Sequence, residues 1–175
     1  MNGLTITHCP CCDSPDRSAA FETWNELSYR QCLGCGCTYQ DPCLVEEYEE
    51  DYWGVVEDPD GNRRDLSTER DFKIRNWYGN SINYVNHLEP GRILDIGAGL
   101  GFFLSAIDNT WEKHAVEISE YSSALISDNV QNVFLYKEIG DIPQDNYFDV
   151  VMFYHVIEHL HDPHDALKKI HRMLK

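Results

Sequence analysis

Apolar positions in the second half of the chain come in short runs separated by longer amphipathic stretches, the alternation expected of a parallel sheet covered by helices. Residues 92 to 96, Arg-Ile-Leu-Asp-Ile, form the first predicted strand and run into a glycine-rich bend, with a helix expected from Gly101 to about Asp108. A second strand is predicted over 113 to 118, and Ser119 is placed to cap a helix through Ser127. The third strand covers 132 to 138. The fourth, 148 to 154, is apolar almost throughout, as for a strand buried on both faces. Asp162 then caps a last helix whose first position is Pro163, with Leu167, Ile170 and Leu174 as its inner stripe and Lys168, Lys169, His171, Arg172 and Lys175 suited to its carboxyl end.

Upstream the pattern differs. Thr68 and Asp71 have capping-box spacing, and Ile74, Tyr78, Ile82 and Val85 recur at helical intervals, so a connecting helix is expected over about 68 to 88, stopped by Pro90 and Gly91. Between Glu46 and Asp60 the chain is acidic and aromatic. A short helix ending at Gly54, before a turn at 58 to 61, would turn Tyr48, Tyr52 and Trp53 inwards and leave the acids in solvent, the alternative being a substrate-binding aromatic surface. The first 44 residues hold few long apolar segments and need a staple to fold. The expected organisation is a small domain over 1–44, a connector over 45–90 and an α/β domain over 91–175.

Composition narrows the function. The 175 residues are 42% hydrophobic and 12% aromatic, enough for a packed core. With 30 acids against 14 Lys and Arg, the formal net charge of -16 opposes binding to a phosphate backbone, so no nucleic-acid partner is expected. The amino terminus lacks a basic region followed by a long apolar stretch, and no run approaches membrane-spanning length, so a cytoplasmic protein without a membrane partner is expected.

All seven cysteines lie between residues 9 and 43. Cys9 with Cys12 and Cys32 with Cys35 make two Cys-x-x-Cys pairs nineteen residues apart, the spacing of a zinc ribbon, in which four thiolates close a tetrahedral Zn2+ site and leave no place for water. Such a metal is structural. A redox or disulfide use of the pairs is the competing reading, and Cys11 or Cys37 can stand in for a neighbouring ligand.

Gly97, Gly99 and Gly101 let the backbone turn sharply and approach a ligand closely, which suits a nucleotide cofactor. Nicotinamide dinucleotides and S-adenosylmethionine both use such a seat. Asp95 helps to separate them, because a carboxylate repels a pyrophosphate and attracts an ammonium or sulfonium, so the balance tips towards S-adenosylmethionine. Glu117 is the next carboxylate in register.

Three separated segments carry a family likeness: Asp95-Ile-Gly-Ala-Gly-Leu-Gly101, Val116-Glu-Ile-Ser119, and Phe148-Asp-Val-Val-Met-Phe-Tyr-His-Val-Ile-Glu-His-Leu-His-Asp-Pro163 with the helix after it. In these the chain resembles the class I, Rossmann-like S-adenosylmethionine-dependent methyltransferases, particularly those with an amino-terminal zinc ribbon. The resemblance implies that Gly97, Ala98 and Gly99 line the methionine part of the cofactor, with Asp95 near its ammonium and helix N–H groups offered to its carboxylate. It places Glu117 on the ribose hydroxyls, Ile118 against the adenine, and Glu138 near the adenine amino group, with a register uncertain by one residue. Tyr154 and His155 would approach the methyl side. The implied acceptor is a small molecule, such as a sugar or another biosynthetic intermediate.

Methyl transfer needs an aligned nucleophile and, for some acceptors, removal of a proton. His155 and His159 are the candidate catalytic residues, with Glu158 available to orient one of them. The same histidines fit the His-x-x-Glu-His spacing of a zinc peptidase, but they follow a strand directly and leave room for about one helical turn, so that reading is set aside. The family's sheet has further strands beyond the fourth, so the sequence predicts an incomplete domain whose fourth strand is an edge, to be covered by missing chain, a second copy or another partner. Two other functions stay open: a nicotinamide-dependent oxidoreductase, and a non-catalytic interaction module with a degenerate cofactor fold.

Overall fold

In the computed structural model, residues 3–22, 27–44, 54–57, 60–142, 145–160 and 162–175 are described. They belong to two compact units, Met1–Glu47 with Ile157–Lys169, and Tyr48–Val156 with Ile170–Lys175. The short acidic helix expected before Gly54, with Tyr48, Tyr52 and Trp53, lies outside the described residues. Among the described residues, no helix is long and apolar enough to cross a membrane.

The first unit is built from β1 (Gly3–Leu4), β2 (Phe21–Glu22), β3 (Ser28–Gln31), β4 (Thr38–Gln40) and β5 (Cys43–Leu44). Strands β2, β3 and β4 form an antiparallel sheet in that order, and β1 pairs with β5. Its core is the small group Cys9, Cys32 and Tyr39. A buried acid ties the rest together: Asp41 accepts the Ile6 N–H at 3.0 Å, Arg30 Nε at 2.5 Å and Arg17 Nη1 at 3.3 Å. Burial pushes its carboxyl up, but the hydrogen bonds from Arg30 and Ile6 and the two guanidinium charges outweigh that and hold it below the usual range.

The second unit opens with the hairpin β6 (Val55–Glu57) and β7 (Arg63–Asp65). The single helix expected over 68 to 88 is instead a segmented one. A 3-10 turn (Leu66–Thr68) leads into α1 (Arg70–Lys73), a wide π turn (Ile74–Tyr78) and α2 (Gly79–Asn86). The Thr68 capping box does not form, because Asp65 takes the cap one turn earlier: its Oδ1 accepts the Ser67 N–H at 3.0 Å, and Thr68 Oγ1 donates to the Asp65 carbonyl at 2.8 Å.

The sheet follows the sequence pattern closely. β8 (Arg92–Ile96) is the predicted first strand, followed by α3 (Phe102–Ser105), β9 (Glu112–Val116), α4 (Glu120–Asn129), β10 (Val133–Tyr136) and β11 (Val150–Phe153). The four strands are parallel in the order β10-β9-β8-β11. Side chains alternate across it: Ile93 packs with Leu104, Trp111 and Ile126 in one cluster, and Leu94 and Ile96 with Phe148, Ile170 and Met173 in the other. The last helix, α5 (Pro163–Met173), starts where expected, with Asp162 Oδ1 accepting the Asp165 N–H at 2.8 Å.

Four elements are shorter than predicted, β9 by one residue and β10, which ends at Tyr136, by three. Helix α3 stops at Ser105 because Asn86 reaches across to end it, donating from Nδ2 to the Ala106 carbonyl at 3.3 Å and accepting the Asp108 N–H at 3.1 Å. The fourth strand spans four residues and is only half-buried, as an edge of the described sheet must be. Phe148, two residues before it, is fully buried.

Candidate functional site

Beyond the carboxyl ends of β8 and β9 the chain makes two turns that lock together. Gly97, Gly99 and Gly101 have φ of 69°, 55° and 73°, a region that disfavours any side chain. At Gly97 a Cβ would also lie 2.4 Å from Val156 Cγ2. The bend is fixed to β9 by the Gly97 and Ala98 N–H groups, which donate to the Val116 carbonyl at 2.9 and 3.1 Å.

Glu117 closes this arrangement. It is buried, and its two carboxylate oxygens accept separate backbone bonds, Oε2 from the Gly99 N–H at 2.7 Å and Oε1 from the Ser119 N–H at 2.9 Å. Burial pushes its carboxyl up, and the N–H groups of Ser119, Gly99 and Ile118 oppose the rise. Ser119 also caps α4, its Oγ accepting the Ser122 N–H at 3.3 Å. A crevice of about 280 Å³ begins here, lined by Glu117, Ile118, Ser123, Leu135, Tyr136 and Lys137. Ile118 is 56% exposed at its mouth, an apolar surface that a planar ring would cover.

Asp95, one residue before the end of β8, is buried, and no described residue donates a hydrogen bond to its carboxyl. Burial first, and the charge of Glu117 second, push it up to about 8. Beyond β11, Tyr154 and His155 meet the π turn: the Tyr154 ring lies 5.3 Å from Tyr78 and 6.3 Å from Trp77, and the His155 ring 6.2 Å from Trp77. His155 is exposed and has φ of 54°, an uncommon backbone state for a residue with a side chain. Trp77 and Tyr78 join this group with no motif to announce them. The only sequence signal is that they belong to the helix running up to the first strand.

The other predicted residues fall as follows. Glu138 is exposed and starts the 3-10 turn Ile139–Asp141, its N–H donating to Asp141 Oδ2 at 2.9 Å, while its neighbour Lys137 lines the crevice. His159 is exposed in the 3-10 turn Ile157–His159, which belongs to the first unit. That turn is too short to set His155 and His159 on one helix face, as a zinc peptidase would need.

In the first unit, the sulfurs of Cys9, Cys12, Cys32 and Cys35 lie within 4.8 Å of one another. The Cys9–Cys35 and Cys12–Cys32 Sγ separations are both 3.6 Å, near the edge of about 3.8 Å that a tetrahedron with Zn–S bonds of about 2.3 Å requires. Backbone N–H groups already point at two of these sulfurs, Cys11 to Cys9 Sγ and Cys35 to Cys32 Sγ, each at 3.4 Å. The donor set fits a thiolate-bound metal. Cys11 and Cys37 form a neighbouring pair 3.0 Å apart and, with Cys9, a second thiol group.

Residues 75–175 match the family model described as a methyltransferase domain. The chain belongs to this methyltransferase family. Among similar solved structures, the PH0226 protein of Pyrococcus horikoshii has 24% identity and a TM-score of 0.51 over 62% of this chain and 54% of that one, a likeness of fold. A SAM-dependent methyltransferase from Aquifex aeolicus aligns with 20% identity and a TM-score of 0.49 over 62% of this chain and 67% of that one. The YcgJ protein of a Bacillus aligns at 25% identity and TM-score 0.49, over 55% and 45%. The chain thus spans about half the length of the YcgJ and PH0226 proteins. No curated protein matches it. The methyltransferase domain so identified contains the bend, Glu117, the crevice, Trp77, Tyr78, Tyr154 and His155.

Proposed function

We propose that this chain binds S-adenosylmethionine at the bend and transfers its methyl group to a small-molecule acceptor, with a structural Zn2+ in its amino-terminal unit. The observation that carries the reading is the clasp between Gly99 and Glu117, which sets an acceptor-only carboxylate at the mouth of an apolar crevice beside a side-chain-free turn. Glu117 Oε1 and Oε2 each keep a free lone pair for a ribose hydroxyl. Ile118 offers its exposed face to the adenine, and Lys137, in the place expected of Glu138, lines the same crevice. The match to the methyltransferase family supports this reading over a nicotinamide-dependent oxidoreductase.

When bound, the cofactor supplies an electrophilic methyl on a sulfonium. The protein's part is to hold, align and dry the site. Asp95 faces a positive group best as a carboxylate, and Tyr78, whose hydroxyl is pushed up by burial and by the charges of Asp95 and Tyr154, stays protonated. Tyr78 with the more exposed Trp77 and Tyr154 supplies an aromatic flank, and His155 stands at its edge, where its imidazole can take a proton from an acceptor hydroxyl or amine. His159 has no part in this reading.

The test is a melting curve with each cofactor. Millimolar S-adenosylmethionine should raise the melting temperature, and NAD should not; no shift with the former, or an equal shift with both, overturns the assignment. A second readout uses the proton on Asp95. Held at about 8, the Asp95 carboxyl is mostly protonated at pH 7, and a cation placed beside it lowers its pKa, so binding must expel the proton. Calorimetry in two buffers of different ionisation enthalpy should find about one proton released per cofactor at pH 7. The release should vanish in Asp95→Asn.

A further inference from the structure

We propose that Lys73 binds the carboxylate of the cofactor's amino-acid tail, an inference that rests on the cofactor reading above. Lys73 ends α1, upstream of the residues that match the family, so membership of the family does not assign it. It is 7% exposed. Its Nζ stands 5.0 Å from the centre of the Trp77 ring and 5.9 Å from that of Phe102, the residue that follows Gly101 directly. Among the described residues, no acceptor lies within hydrogen-bonding distance of that ammonium. Burial favours its neutral form, and Glu69, one oxygen of which is bonded by Arg64 while Oε2 makes no hydrogen bond, favours its charge from beyond hydrogen-bonding distance.

An ammonium on a largely buried side chain, with two ring faces and the non-contacting Glu69 carboxylate around it, gains from an anion that can bond it directly. The methionine tail of the cofactor carries one. Its carboxylate also needs a cation here, because Glu117, and Asp95 once it has given up its proton, repel a third carboxylate. Helix α3 cannot supply the balance: four residues make about one turn, and the dipole of so short a helix is weak. Arg70, the other cation on this helix, donates from Nε to Ser105 Oγ at 3.1 Å, but it is exposed and its Nη1 rests on Asp71 at 3.2 Å. The division is then Asp95 for the ammonium, Lys73 for the carboxylate and Glu117 for the ribose.

The test compares S-adenosylmethionine with its decarboxylated analogue, which keeps the sulfonium and the amine, by calorimetry on the full chain. The wild-type protein should prefer the intact cofactor by about tenfold or more, as for a buried charge-assisted contact. Lys73→Met should bring that ratio close to one with little loss of affinity for the analogue, which also reports that the variant is folded. Lys73→Arg should keep most of the preference. An unchanged ratio in Lys73→Met, or an equal fall for both ligands, overturns the role of Lys73. A wild-type protein that binds neither ligand overturns the cofactor reading itself, and Lys73 with it.

Discussion

Replacing Glu117 with alanine should reduce S-adenosylmethionine affinity by about a hundredfold or more, because the side chain that fixes the bend is also the proposed partner of the ribose. The two effects can be separated. Loss of the acceptor leaves the Gly99 and Ser119 N–H groups without their buried partner, at a cost of about 1–3 kcal/mol each, so the melting temperature of the cofactor-free protein should also fall. Glu117→Gln keeps one acceptor oxygen for a backbone N–H and brings an amide donor to the other. It should recover much of the stability and little of the affinity. A Glu117→Ala protein that binds cofactor like wild type would contradict the clasp as the binding device.

The second large effect is expected in the first unit. Cys9 and Cys32 are most of its core, so the proposed metal would take the place of packed side chains, and removing a ligand should unfold the unit rather than loosen it. Protein isolated without chelator should contain one zinc per chain by atomic absorption. Cys32→Ser should contain none and lose amide protection across residues 3–44, while β8 and β9 in the other unit keep theirs. Cys11→Ser and Cys37→Ser should both retain the metal, because four other sulfurs already sit at tetrahedral spacing. Metal-free wild-type protein with Cys-x-x-Cys disulfides would overturn the zinc assignment.

Much of this was legible in the sequence where a local rule and the tertiary fold agree. Arg92–Ile96 appears as predicted, since an apolar run before a glycine bend has few other uses, and Ser119 and Asp162 cap the helices they precede. Glu117 reaches the bend because strand pairing sets Ile96 beside Val116, a register that the spacing of the two motifs implies. The connecting helix was harder. A 3.6-residue period cannot announce a π turn, and the wide turn at Ile74–Tyr78 falls at the segment that carries Trp77 and Tyr78 to Tyr154 and His155.

Lys73 was hidden for a related reason. In the sequence it is one basic residue among the charged positions 69 to 75, and only packing reveals that it is buried. Glu138 shows the limit of register: it lies past the end of β10, where no strand periodicity applies, and its neighbour Lys137 is the residue that lines the crevice.

A crystal structure with S-adenosylhomocysteine bound tests the account most directly. The ribose hydroxyls should lie within hydrogen-bonding distance of the two Glu117 oxygens, with the amino-acid tail along Gly97–Gly99. Well-ordered nucleoside seated elsewhere, with Glu117 still bonded only to Gly99 and Ser119, would contradict it.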